Sequence, residues 1–395
     1  MAHDGQSLAP NVYNAEAIPE SARDEIDRLL VSGDLFRYTA PEGAPVALLE
    51  QEFAELMGTR YAVAVSSCSA ALFLALKALD LPRGAKVLIP AFTFAAVPSA
   101  VVHADCVPVL VEVGDDFRVD MADFEAKVDG ADAVLISHMR GQTSDMGAIM
   151  RLADARGLPV VEDAAHSLGT TWNGRKIGTL GKIGCFSFQS YKLVNAGEGG
   201  MFITDDPELA ARAVIMSGAY EHNWKKHPGL QNSYMRWQNK LPLYNQRMQN
   251  LSAAVIRPQL PEVAGRVARG RAGHDRVAAL LNESPYLTVP PALGPEQRAP
   301  DSIQFNLSGD WSDDEARAFQ AAAKRRGVSV QVFGLSEDNA RAFWNWQFLG
   351  DLPELPKTRA MLMRACDVRL PTRLTEPELD FIAEALVAAA EDVKA

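Results

Sequence analysis

Val160-Val161-Glu162-Asp163, Ser187-Phe188-Gln189-Ser190-Tyr191-Lys192 and Gly197-Glu198-Gly199-Gly200 follow one another within a single tract of this 395-residue chain. The first is an apolar strand that ends on an aspartate. The second alternates Phe and Ser, then reaches a lysine five residues after Ser187. The third is a glycine-rich turn. Working outward, strands and helices alternate. Strands are expected at 61–65, 86–90, 107–113, 133–137 and 159–162, with helices at 70–79, 95–102 and 146–155. Short, continuously apolar strands separated by helical periodicity imply an α/β fold: a mainly parallel central sheet with helices on both faces. Ligands in such sheets gather at the carboxyl ends of the strands. Ser66, Phe92, His138 and Asp163 all stand just past such ends and are expected to converge.

The chemistry of the tract points to pyridoxal 5′-phosphate (PLP). A lysine amine forms an imine with the cofactor aldehyde and relays a proton, and a carboxylate beside the pyridine nitrogen keeps it protonated. Lys192 and Asp163 are the candidates. The turn Ser66-Ser67-Cys68-Ser69 leads into the helix beginning Ala70-Ala71-Leu72, whose free N–H groups and dipole suit a phosphate, and Ser187 adds a hydroxyl. Phe94, in Pro90-Ala91-Phe92-Thr93-Phe94, is a candidate to stack on the ring. His166, three residues after Asp163, is a candidate partner for the phenolic oxygen. Each residue also has a plainer reading. Lys192 reads as a surface lysine, Asp163 as a helix N-cap, Ser187 as the outward position of a strand, Phe94 as core, and His166 as a satisfied buried histidine. Asn245 by itself reads as an N-cap or turn residue.

Composition narrows the field. At 395 residues the chain is long enough for two cores, divided here into an N-terminal extension (1–44), a large domain (45–265) and a small C-terminal α+β domain (266–395). The small domain is read from a strand at 302–307, a helix at 313–326, a strand at 328–332 and a final helix at 376–391. A net charge of −11 argues against a broad nucleic-acid surface. The four cysteines, at 68, 106, 185 and 366, form no Cys-x-x-Cys pair, and no His cluster has zinc spacing. No disulfide framework or metal site is expected, and a reducing cytoplasm fits. Met1-Ala2-His3-Asp4-Gly5 lacks the pattern of a signal peptide, and no apolar run is long enough to span a membrane. The stretch 218–246 breaks the alternation. Its aromatics and amides read as a substrate lid or a dimer-contact arm.

Together these residues resemble the DegT/StrS-type sugar aminotransferases, a branch of the fold type I (aspartate aminotransferase-like) PLP enzymes. The similarity runs from about Leu35 to Leu260 and continues more weakly to the C-terminus. It rests on Ser67-Cys68-Ser69-Ala70-Ala71-Leu72, on Pro90 to Phe94, and on His138, Gly141 and Gln142 ahead of Asp145-Met146. It rests also on Glu162-Asp163-Ala164-Ala165-His166, on Phe186 to Lys192 with Gly197 to Gly200, and on Asn245-Gln246-Arg247-Met248. The resemblance implies that Lys192 carries the imine and Asp163 pairs with the pyridine nitrogen. It implies phosphate contacts from Cys68, Ser69 and Ser187, ring contacts from Phe94 and His166, and a homodimer in which Asn245 reaches the neighbouring subunit's phosphate. The implied activity is transfer of an amino group from glutamate or glutamine to a keto sugar, keto-cyclitol or related polar carbonyl. The alternatives are a PLP-dependent sugar dehydratase, which tends to replace the lysine by histidine, and a non-catalytic regulatory relative. Arg37 and Arg247 are candidates for holding a donor carboxylate. Departures from the family pattern include Cys68 for glycine, Ser69 for threonine, Ser190-Tyr191 for Pro-Thr, Arg140 where an aromatic is frequent, and the Phe343-Trp344-Asn345-Trp346 segment. They leave the substrate open.

Overall fold

The computed structural model describes residues 9–40 and 43–394. Met1-Ala2-His3-Asp4-Gly5 and part of the expected extension 1–44 lie outside the described residues. The chain begins with α1 (Arg23–Ser32), α2 (Pro45–Met57), β1 (Tyr61–Val65), α3 (Cys68–Ala78), β2 (Lys86–Pro90), α4 (Ala96–His103) and β3 (Val107–Val111). It continues through α5 (Met121–Val128), β4 (Ala133–Ser137), α6 (Met146–Asp154), β5 (Val160–Asp163), β6 (Thr171–Trp172), β7 (Arg175–Lys176), β8 (Ile183–Ser187) and β9 (Gly200–Thr204). Then come α7 (Pro207–Gly218), α8 (Gln231–Trp237), α9 (Asn250–Ile256) and α10 (Val263–Asn282). The last elements are β10 (Leu287–Thr288), β11 (Glu296–Gln297), β12 (Ser302–Leu307), α11 (Asp313–Arg325), β13 (Gln331–Val332), α12 (Pro356–Leu362), β14 (Ala365–Arg369) and α13 (Glu376–Lys394).

Seven strands form the central sheet in the order β1-β9-β8-β5-β4-β2-β3. β9 runs antiparallel to both its neighbours, and the other pairs are parallel. The expected mainly parallel sheet is therefore present. Its strands are apolar on both faces because successive side chains point to opposite sides. Val63 and Val65 enter one core with Leu72 and Val101, whereas Ala64 enters the other with Leu49, Phe53 and Ile149. Local chemistry sets the helix ends. Asp120, Asp145 and Asp206 cap α5, α6 and α7 by accepting first-turn N–H groups, and α2 stops at Gly58 with φ 72°.

A third core lies over the antiparallel sheet β10-β12-β14-β13, where Ile303, Phe305 and Val368 pack against Val277, Phe319 and Leu386 of α10, α11 and α13. α10 crosses the expected border at 265/266: Val263 belongs to the second core, and Val277 and Leu281 belong to the third. Several elements had no counterpart in the sequence reading, among them α5, β9, α7, α8, α12 and β14. β9 was hidden by its glycine-rich start and β14 by its charged residues.

Candidate active site

Lys192, Asp163, Cys68, Ser69, Phe94, His166 and Ser187 line one cavity of about 700 Å³ at the carboxyl ends of the parallel strands. The backbone explains the convergence. β5 ends on Asp163, which pairs in register with Ser137 at the end of the neighbouring β4. Ser137 Oγ donates to Asp163 Oδ2 at 2.7 Å, and the Ala165 N–H donates to Oδ1 at 3.1 Å. Cys68 Sγ lies 3.8 Å from the same Oδ1. The thiol is therefore turned toward the aspartate, and burial pushes its pKa well up, so it remains a neutral donor.

Lys192 sits on the loop that joins β8 to β9. That loop is closed by hydrogen bonds from Phe188 N to Gly199 O (2.9 Å) and from Ala196 N to Phe188 O (2.8 Å). The Lys192 amine lies 2.8 Å from His166 Nε2 and 3.2 Å from Nδ1. Burial lowers the Lys192 pKa to about 8, with the Arg140 charge adding to the effect. Burial, and then the positive charge of Lys192, holds His166 well below its ordinary value, so its ring is neutral and accepts from the amine. A partly neutral lysine is the form that attacks an aldehyde.

Another part of the cavity lining is the start of α3. Ser67 Oγ takes the Ala70 N–H at 3.1 Å and the Ser67 carbonyl takes the Ala71 N–H, while Cys68 and Ser69 stand in the first turn, where N–H groups lack helical partners. Gly200 is what lets β9 pass this point. A Cβ there would lie 2.3 Å from the Ser67 carbonyl and 2.5 Å from Cys68 N. Phe94 is 45% exposed, which the core reading does not explain, and its open ring faces the cavity. The residues therefore fit PLP: a helix start with a hydroxyl for the phosphate, an open aromatic ring, a braced carboxylate and a lysine of lowered pKa. When bound, the cofactor supplies the electron sink of the reaction.

A model of the DegT/DnrJ/EryC1/StrS aminotransferase family matches residues 20–387. The chain belongs to that family. It is 34% identical over 282 residues to the spore coat polysaccharide biosynthesis protein SpsC of Bacillus subtilis (strain 168), covering 70% of this chain and 71% of that one. It is 32% identical over 228 residues to a GDP-perosamine synthase of Vibrio cholerae, covering 57% of this chain and 59% of the synthase. The crystal structure of 3-amino-5-hydroxybenzoic acid synthase superposes with a TM-score of 0.85 at 25% identity, over 97% of this chain and all of that one. The fold is thus fold type I, and the protein is a PLP-dependent aminotransferase acting on small molecules.

Several expected site residues of this aminotransferase lie elsewhere in the chain. Asn245 is exposed at φ 55° on a segment pinned beside β1, where Gln246 O accepts from Ser66 N at 2.9 Å. It does not line the cavity. Arg37 is buried and paired with Glu50, and Arg247 lies over Phe36 and donates to Gly218 O at 3.0 Å. Neither faces the cavity, because each is already engaged in holding the N-terminal segment. Of the four residues expected just past strand ends, only Asp163 opens into the cavity. Phe92 is core, Ser66 bonds Gln246, and buried His138 lies 3.2 Å from Glu162 Oε2. The aromatics Trp224 and Tyr234 of 218–246 are buried in the first core, and no residue of that stretch lines the cavity.

The sequence reading missed a further part of the cavity lining. Arg341, Asp367, Arg369 and Gln331 come from the C-terminal third, and Arg140 from the turn after β4. Arg140 has φ 56° and donates to Asp367 at 2.6 Å. Burial opposes its charge, but Asp367 and Asp301 outweigh that and raise its pKa. One signal was available: Ala365-Cys366-Asp367-Val368-Arg369-Leu370 alternates two charges with apolar residues, the period of a strand with one functional face.

Proposed function

We propose that this enzyme moves an amino group from an amino-acid donor, glutamate or glutamine, to the carbonyl of a keto sugar, keto-cyclitol or related polar ketone. The observation that carries the reading is the shared cavity of Asp163 and Lys192, with the lysine amine against a neutral His166. In this reading Asp163 holds the positive charge at the ring nitrogen, braced by Ser137. Lys192 binds the cofactor and moves the proton, with His166 taking a hydrogen bond at the ring edge. Cys68, Ser69 and Ser187 meet the phosphate, and Phe94 covers the ring. The relatives whose names include perosamine and aminohydroxybenzoate synthases support a carbonyl acceptor on a ring.

The protein works as a cytoplasmic homodimer in this reading, with Asn245 completing the neighbouring subunit's site. An exposed asparagine held at positive φ, away from its own cavity, supports that role. The division into 1–44, 45–265 and 266–395 goes with it, with α10 as the shared hinge element. The intact Asp163 and Lys192 pair weighs against both the dehydratase and the non-catalytic alternative.

The test is spectroscopic. Incubating the holoenzyme with the donor discharges the visible absorbance of the bound cofactor, and a carbonyl acceptor restores it. Lys192→Ala exchanging amine at the native rate would refute the assignment, as would a folded, active monomer in sedimentation for the dimer.

A further inference from the structure

The cavity lining holds three guanidinium groups, and among the described residues only one of them is in an ion pair. Arg140 is paired with Asp367. Arg341 and Arg369 form no ion pair with any described residue. Arg369 Nη2 donates to the Tyr191 carbonyl at 3.1 Å and its guanidinium stands 4.5 Å from the Tyr191 ring, while Nε and Nη1 are buried without an acceptor. Arg341 lies 5.7 Å from the Phe94 ring, and its Nε is also buried and unpartnered, as is the Nε of Arg140. Burial, reinforced by Arg140, lowers the Arg341 pKa to about 10 against the opposing pull of Asp367 and Asp301. Unmade hydrogen bonds from buried charged donors are costly, so such a wall is completed by a ligand.

On the reading above the cofactor's phosphate belongs to the start of α3, so these guanidinium groups are left for the substrates. Donor and acceptor take turns in one cavity, each with its reacting atom beside Lys192. Both therefore meet these arginines. An amino-acid donor brings a carboxylate. A neutral polyhydroxylated acceptor would leave both guanidinium groups without a salt-bridge partner in the second half of the cycle.

We propose that the amino acceptor also carries a carboxylate, on a compact cyclic ketone, and that Arg341 and Arg369 select it. The proposal rests on the aminotransferase reading. A nucleotide diphosphate is the other anion an acceptor can bring. Arg369 donates to the carbonyl of Tyr191, the residue before Lys192, Arg341 lies against Phe94, and the cavity of about 700 Å³ must hold the cofactor as well. These facts place the recognised anion near the reacting carbon, which favours a carboxylate on the acceptor's own ring.

Two measurements test this. The holoenzyme is carried to its amine-bearing form with donor and freed of donor. It is then mixed with 3-oxocyclohexane-1-carboxylate, with the methyl ester of that acid, or with a UDP-linked keto sugar. The carboxylate is expected to restore the visible absorbance on the order of 100-fold faster than the ester. That preference is expected to fall to about 3-fold or less in Arg341→Gln/Arg369→Gln. In the second measurement, calorimetry on the holoenzyme compares cyclohexanecarboxylate with cyclohexanecarboxamide, neither of which can react. The acid is expected to bind about 10-fold or more tightly than the amide, and to lose that advantage in the double variant. Should the double variant not fold, the comparisons on the unaltered enzyme stand by themselves. An ester or nucleotide sugar that reacts as well as the acid overturns the proposal, as does an amide that binds as well. Failure of every amino acid to discharge the absorbance at the first stage instead refutes the aminotransferase reading beneath it.

Discussion

Gly200→Ala is the sharpest probe of how the fold builds the turn proposed to hold the phosphate. The added methyl would stand 2.3 Å from both the carbonyl carbon and oxygen of Ser67 and 2.5 Å from Cys68 N. All three atoms are backbone, so no side chain can swing away. Either β9 must separate from β1, with which Gly200 pairs at Val65, or the first turn of α3 must move. Overpacking of this kind costs about 1–3 kcal/mol. Were the strain to fall on the sheet alone, the unfolding temperature would drop by about 2–6 °C. Because Cys68 and Ser69 are the first residues of α3, part of the strain falls on the turn proposed to hold the phosphate. A loss of about 1.4 kcal/mol there weakens PLP binding about 10-fold. The assay is titration of the apoenzyme with PLP, followed by cofactor absorbance, alongside thermal unfolding without cofactor. Gly294→Ala is the control, since nothing lies within 4 Å of a Cβ there. Unchanged PLP affinity and an unchanged melting temperature in Gly200→Ala would refute the argument that β9 sets the cradle.

Ser137→Ala removes the hydroxyl that donates to Asp163 at 2.7 Å. A hydrogen bond to a charged group is worth about 1.5–3 kcal/mol, so kcat should fall about 10-fold while PLP still binds, and an unchanged kcat in steady-state assays counts against a positioning role. The capture of PLP by the apoenzyme should rise with pH around a midpoint of about 8, the lowered pKa of Lys192, and a stopped-flow midpoint near the ordinary 10.5 would contradict the burial argument. The linkage has a definite sign. The folded pKa lies below the unfolded one, so the protonated amine penalises the apo fold below about pH 8, and that penalty is relieved between about 8 and 10.5. Glu50→Gln leaves the buried Arg37 charge uncompensated and weakens the Ala64 N–H contact, now 2.8 Å. Denaturant unfolding should show a loss of about 3 kcal/mol, and a change under about 1 kcal/mol would show that the pair is not structural.

The turn from Ser67 to Ser69, Asp163, His166, Ser187 and Lys192 could be found in the sequence because each lies within a few residues of a strand end. An apolar run of four or five residues reads as a buried strand, and the residue that follows must emerge at its carboxyl end. Parallel strands share that end, so local punctuation was enough to assemble one half of a site. Alternation of strand and helix was enough for the sheet. The other half follows a different rule. Arg341 and Arg369 reach the cavity only because β14 pairs with β12 and β13 and the C-terminal unit packs beside β4's turn, where Arg140 meets Asp367. The alternation around Asp367 and Arg369 signals a strand with one functional face, but nothing near Arg341 or Arg369 in the chain says which residues that face meets. Arg37 and Arg247 show the converse: they looked equally available in the sequence, and packing against Glu50, Phe36 and Gly218 committed both to structure. The sequence by itself therefore determined the cofactor and the class of reaction, because that chemistry rests on residues placed by local backbone geometry. The charge offered to the substrate was decided only by the tertiary structure, because it depends on which guanidinium groups long-range packing leaves without a partner.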